Sequence, residues 1–239
     1  MLIKNFSKSL LLFSIFAFVL SSAGISQFIS NANAQDQQQD QKLIPINIKL
    51  PIPMFIGTPQ NFRVPNLEKP LGKPRPPFLA PAETKNVALG KPVSSTDDEP
   101  IIGEIELITD DDREAEDGCF VELGPFLQHV TIDLKSRHDI YAIVMWHYHK
   151  QARVYIDVIV QVSDDPNFIK DVTTLFNNDD DNSAGLGVGK DLHYVETSEG
   201  KLIDAKGVQA RYVRLYSNGN TNNDLNHYIE VEVYGVPIK

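Results

Sequence analysis

Residues 210–235 read ARYVRLYSNGNTNNDLNHYIEVEVYG. Two segments, RYVRLYS and HYIEVEVYG, alternate polar and apolar residues at period two, the spacing of a half-buried β-strand. In the first, Tyr212, Arg214 and Tyr216 share one face and Val213 and Leu215 the other. In the second, Ile229, Val231 and Val233 are expected inside, with Glu230, Glu232 and Tyr234 outward. The loop between them is rich in amides, and Asn218-Gly219 marks a tight turn that needs a positive φ. The reading is an antiparallel pair closing a β-sheet domain, tipped by a polar loop.

Further strand candidates come at short intervals: CFVEL, HVTIDL, IYAIVMWHYH, VYIDVIVQVS and TTLF. IYAIVMW and VYIDVIVQV are almost continuously apolar, as central strands covered on both sides would be. No segment of the domain sustains a helical period. The expectation is an all-β fold, a two-sheet β-sandwich, because two facing sheets bury such strands economically.

The domain opens at Asn86 with NVALGKPVSS, carries VYIDVIVQVSDDPNF in its middle and closes with YIEVEVYG. In this order and at these separations, the segments resemble the discoidin-like family, or coagulation-factor type C domains. These share the galactose-binding-like jelly roll with family thirty-two carbohydrate-binding modules. The resemblance covers about Asn86 to Gly235 and implies a jelly-roll β-sandwich that binds without catalysis.

The rest of the chain divides in two. Residues 1–34 are expected to be a signal peptide. Lys4 and Lys8 precede the apolar run LLLFSIFAFVL, and Asn31-Ala32-Asn33-Ala34 places small residues where a signal peptidase cuts, before Gln35. A retained anchor is the alternative. Residues 35–85 are expected to be a disordered linker: QDQQQDQ, then ten prolines between Pro45 and Pro81, too dense for helix or sheet pairing. This segment holds 7 basic and 4 acidic residues, net +3. Residues 86–239 hold 13 basic and 28 acidic, net −15. So acidic a domain argues against nucleic acid and anionic lipid as partners. The implied partner is a glycan or glycosylated surface, with another extracellular protein as the alternative. The location is secreted or cell envelope, with no transmembrane segment in the mature chain. The one cysteine, Cys119, excludes an intrachain disulfide and reads as structural.

Two regions are candidate ligand sites. MWHYHKQAR, Met145–Arg153, joins two long strands, so His147, His149 and Arg153 are expected at an outward-facing tip. Trp146 either is core, as its apolar upstream run favours, or offers a stacking face. In SNGNTNNDLNHY, Asn218, Asn220 and Asn223 carry amides that both donate and accept, which suits polyhydroxyl ligands. They serve equally well to tie down their own loop. Family geometry places both loops at one end of the sandwich. The acidic run ITDDDREAED, Ile108–Asp117, suits a hard cation. The resemblance assigns it structural Ca2+, held by Asp110, Asp112 and Glu230 with the backbone carbonyls of Ile108 and Ile229. An Asp, Asp111, stands where the family has Gly. Three adjacent aspartates in FNNDDDNSAGLGVGKD are a weaker second cation site. GLGVGK there lacks the spacing of a phosphate loop. No GxSxG elbow or HExxH helix is present, and the chain is expected not to be an enzyme.

Overall fold

The computed structural model describes residues 42–55 and 62–238. The expected leader and the Gln-rich run up to Gln41 lie outside them. Eleven strands follow in order: β1 Leu43–Pro45, β2 Leu79–Pro81, β3 Lys85–Asn86, β4 Val93–Ser95, β5 Val121–Pro125, β6 Gln128–Trp146, β7 Ile159–Ser163, β8 Thr173–Asn177, β9 Lys201–Ser217, β10 Leu225–Tyr228 and β11 Glu230–Pro237. Among the described residues one 3-10 turn, Ile105–Thr109, leads into the acidic run. Among the described residues no helix is long and apolar enough to cross a membrane. The chain is an all-β sandwich. Its larger sheet has the order β3-β11-β6-β9-β7-β8, with β4 also on β6, and every pairing is antiparallel. A two-stranded sheet, β5 and β10, forms a second layer. Between them lies the core, with Val121, Leu123, Val130, Ile132, Val213, Leu215, Val231 and Val233 among its members.

The pairing expected of the two segments at 210–235 is corrected here. β9 and β11 do not touch as partners, because β6 lies between them. HYIEVEVYG breaks at Ile229: β10 pairs with β5 in one layer, and β11 continues on β6 in the other. One strand thus changes sheets, as jelly rolls require to close both layers. HVTIDL and IYAIVMW are one strand, β6, bent by register shifts at Asp133/His138 and Ile140/Ala142.

On β9, Val213 and Leu215 are in the core and Tyr212 and Arg214 partly exposed, as expected, while Tyr216, on the same face as the latter two by spacing, is buried. Those of β11 are not. Glu230, Glu232 and Tyr234 are buried. Their face of the sheet belongs to a second apolar cluster of Ala142, Val144, Trp146, Ile229 and Tyr234 with Phe120 and Ala115. Ile46, Ile48 and Phe78 pack onto it from the proline-rich segment. β1 pairs with β2, Ile46 N–H donates to the Phe78 carbonyl at 2.9 Å, and Tyr234 Oη donates to the Asn47 carbonyl at 3.3 Å. Farther along, Leu67 bridges His193, and Arg75 donates to the Glu199 and Gly200 carbonyls. Residues 42–55 and 62–85 therefore run mostly without regular pairing, as their prolines dictate, but docked on the sandwich rather than free of it. The alternation of Ile44, Ile46 and Ile48, half-buried between exposed neighbours, is what docks them.

Half-burial of three large apolar side chains stabilises by about 1 kcal/mol each, and the face they cover exposes more when they leave. A chain of residues 86–239 is expected to lose on the order of 3–5 kcal/mol relative to residues 42–239. Urea unfolding measures the difference, and the emission of Trp146, the lone tryptophan, shifts to longer wavelength as it is uncovered. Equal stability of the two chains would refute the docking.

Candidate functional site

The loops at one end of the sandwich are stitched together by backbone bonds. Tyr155 bridges Asn220, Ile156 N–H donates to the Gly219 carbonyl at 3.1 Å, and Asn218 N–H donates to that of Ile156 at 2.8 Å. Thr221 N–H reaches the Val154 carbonyl at 2.9 Å, and Thr221 Oγ1 accepts from Val154 N–H at 3.1 Å. The 147–155 and 218–224 loops are thus neighbours, as expected. Residues 154–158, expected to be strand, are consumed by this stitching, and β7 begins only at Ile159.

The Asn loop is rigid. Gly219 has φ 71°, and a Cβ there would lie 3.0 Å from the Asp224 backbone. Asn220 Nδ2 donates to Asn223 Oδ1 at 2.7 Å and to the Leu225 carbonyl at 2.9 Å, while Asn220 Oδ1 accepts from Asn222 N–H at 3.0 Å. Asn220 is therefore a turn-former. Asn218 Nδ2 donates to Asp157 at 2.9 Å. Asn223 keeps its Nδ2 free of partners among the described residues, and Asn222, not singled out in sequence, is exposed beside it.

The 147–155 loop exposes Gln151 but turns its candidate ligand residues inward. Trp146, His147, His149 and Arg153 are all buried, which removes them from contact with a solvent-borne ligand in this conformation. Trp146 is core: its Nε1 donates to the Ser198 carbonyl at 3.0 Å, and Gly200, at φ 62°, lies too close to the indole to carry a Cβ. His147 stacks on Tyr155 at 4.2 Å and meets Glu196 through Nδ1 at 3.2 Å. His149 Nε2 donates to the Arg113 carbonyl at 2.9 Å. Arg153 lies over the Tyr148 ring at 4.7 Å. His147 and His149 lie beyond the end of β6 and meet different partners, His147 the Tyr155 ring and Glu196, and His149 the Arg113 carbonyl.

In the acidic run, Asp111 adopts φ 75°. The left-handed conformation that Gly would supply is kept by one of the few side chains that tolerate it. Asp110 Oδ1 and Asp112 Oδ1 accept backbone N–H groups two residues on, each at 2.9 Å. Arg113 pairs with Asp111 and with the buried Glu232, which also accepts from Tyr234 Oη at 2.7 Å. Glu230 is different: both carboxylate oxygens are buried with no hydrogen-bond partner among the described residues. Burial, then Glu232 and Asp110, push its pKa up to about 9, against the pull of Arg113. The carboxylates of Asp110, Asp112 and Glu230 do not form a tight trio. Among the described residues, the one group of three with ligand atoms within 4.8 Å of each other is Asp157, Asp179 and Asp181, which has the spacing to hold a metal ion. Sequence spacing marked only Asp179 and Asp181; Asp157 joins them through the loop stitching.

Neither a family model nor a curated relative matches the chain. Among solved structures it is similar to a module, CBM32-4, produced by Clostridium perfringens and solved with GlcNAc-α-1,4-galactose, at 14% identity and a TM-score of 0.47, covering 65% of this chain and 96% of that one. Another is chitosan-binding module 1 of a chitosanase/glucanase from Paenibacillus sp. IK-5, a V-to-M variant, at 18% identity and 0.46, covering 64% and 99%. A third is the family 89 glycoside hydrolase of Clostridium perfringens with its substrate, at 18% identity and 0.47, covering 64% of this chain but only 15% of that enzyme's length.

Two desolvated histidines give the stability of the fold a pH dependence. His227, whose Nε2 meets Glu122 at 2.9 Å, is held neutral down to about pH 3 by burial, with Arg153 and His147 adding to it. His129 is held neutral to about pH 4 by burial and Arg214. In the unfolded chain both take up a proton near pH 6.5, so their contribution to stability falls as pH drops from 6.5 toward 4, two groups against the single opposing contribution of Glu230, whose folded pKa is raised. Urea unfolding at pH 7, 5.5 and 4.5 is expected to show this decline, with a shallower slope in His227→Asn. An unchanged slope would contradict it.

Proposed function

We propose that this chain is a secreted or envelope-located, non-catalytic binding module that recognises carbohydrate at the loop end of the sandwich. The observation that carries the reading is the rigid, amide-rich surface of the 218–224 loop. Asn220 and Asn226 fix the backbone, which leaves the Asn222 side chain and Asn223 Nδ2 turned to solvent without first having to be ordered. Amides that donate and accept in fixed positions match a polyhydroxyl ligand, and pre-ordering reduces the entropy lost on binding. A glycan array probed with residues 35–239 is expected to reveal binding, weakened about tenfold by Asn223→Ala, the loss of one or two hydrogen bonds. No glycan binding alongside a stable protein complex would favour an adhesive role instead.

The orphaned, buried Glu230 carboxylate supports the second part of the proposal, structural Ca2+. A carboxylate desolvated beside Glu232 and Asp110 stays ionised only with a cation at hand. Glu230 and Asp110 would hold it, with Asp112 and the carbonyls of Ile108 and Ile229 completing the oxygen shell. The ion would supply charge neutralisation and a tie between the acidic loop and β11. Melting in millimolar Ca2+ is expected to lie several degrees above melting in chelator. Glu230→Gln should abolish the difference, and Asp179→Asn should leave it intact. The reverse outcome would move the cation to the Asp157 trio.

A further inference from the structure

Phe126 is the most exposed large apolar side chain of the described residues, at 79%, and its backbone has φ 68°. It occupies the turn Gly124-Pro125-Phe126-Leu127 between β5 and β6. Single exposed hydrophobic residues are ordinary. A bulky side chain in the left-handed region is not, because its Cβ crowds its own backbone, and such strain persists only where neighbours enforce it. Here the enforcement is explicit. The amide of Asn226, itself buried, donates through Nδ2 to the carbonyls of Gly124 at 2.8 Å and Phe126 at 2.9 Å. Its Oδ1 accepts from Gly219 N–H at 2.8 Å. Gln128 Nε2 holds the Pro125 carbonyl at 3.0 Å, and Leu225 pairs with Pro125. One amide therefore clamps the Phe126 turn to the Asn loop, so the exposed ring and the amide surface belong to the same rim.

Glycine would occupy this position without strain. The chain instead carries a ring that buries little in the free protein, held still by hydrogen bonds that leave only its two side-chain torsions free. Resting on the glycan-binding reading above, we infer that Phe126 is the apolar platform of the site: a pyranose ring lays its C–H face on the phenyl ring while Asn222 and Asn223 meet its hydroxyls. Burying one aromatic face against C–H groups favours a ring-shaped, neutral ligand, with affinity set largely by the ring. The rim thus takes the stacking role that the sequence offered to Trp146. An anionic lipid surface is disfavoured by the net −15 of residues 86–239.

The test uses residues 35–239, with the glycan that the unsubstituted protein binds best on the array as probe in calorimetric titrations. Phe126→Ala and Phe126→Gly are expected to weaken binding at least tenfold, whereas Phe126→Tyr and Phe126→Trp stay within about threefold of the parent. Phe126→Gly is expected to melt no lower than the parent, since it relieves the positive φ, so its loss of binding cannot come from unfolding. Undiminished binding by Phe126→Gly overturns the platform and leaves the glycan reading standing through Asn223. Absence of any glycan binding by the parent overturns both. Sedimentation of the parent but not Phe126→Ala with phosphatidylcholine vesicles overturns the platform in favour of a membrane anchor.

Discussion

Two-sided burial of the C-terminal half of β6 is the constraint on which the remaining architecture rests. From Ile140 to Trp146 this strand has β11 on one edge and β9 on the other, the main core on one face and the second cluster on the other. A strand so placed leaves no room for an unpaired polar backbone group or a solvated side chain. It also commits β11: the same register that places Val231 and Val233 in the core turns Glu230, Glu232 and Tyr234 toward the second cluster. Charged residues there need partners, and Arg113, Asn47 and the acidic loop are what the fold brings to them. The candidate cation site and the docking of the proline-rich segment are thus two consequences of one burial problem.

Much of the fold was legible because β-strand alternation is local. Val213 and Leu215, or Ile140 to Trp146 as a central strand, follow from spacing alone. The N-terminal part of β9, KLIDAKGVQ, was not, because Asp204, Lys206 and Gly207 break the alternation that marks the rest. The partners of β9 and β11 were not, since the hairpin rule favours sequence neighbours, whereas β6 lies between them and HYIEVEVYG divides between the two layers. Nor was the burial of Glu230 and Glu232. It is imposed by residues 42–55, more than a hundred positions away, and by the Arg113 side chain. Composition read the prolines correctly as a bar to regular pairing. It could not weigh the isoleucines between them, whose target did not yet exist.

The candidate site divides on the same line. Asn218-Gly219 as a positive-φ turn was readable, as was the adjacency of the two loops once the family resemblance was taken up. The burial of His147, His149 and Arg153 was not, because a polar loop is buried whenever other polar groups and rings meet it. Here Tyr155, Glu196, His227 and Tyr148 do so. Phe126 carries no sequence signal beyond a turn proline before it. Only its positive φ and the convergence of Asn226 on Gly219 and Phe126 draw it into the rim. Rigidity is the common element, since Asn220 and Asn226 each make several bonds to backbone groups and Gly219 takes a conformation closed to side chains.

What holds the proline-rich segment can be settled by magnitude. Its charges are complementary to the domain: Lys49 lies 3.7 Å from Asp111, Lys201 lies 2.8 Å from Glu68, and Arg75 reaches the Glu199 and Gly200 carbonyls. Solvent-exposed ion pairs are worth about 0–1 kcal/mol each and weaken with salt. Ile46, Ile48 and Phe78 each remove apolar surface from water and also shelter Trp146 and Val144, a larger and salt-independent gain. The opposite net charges of segment and domain therefore guide where it lies, while its isoleucines keep it there. Over its described residues the segment is better regarded as an outer layer of the sandwich than as a spacer, and it leaves residues 221–224 exposed.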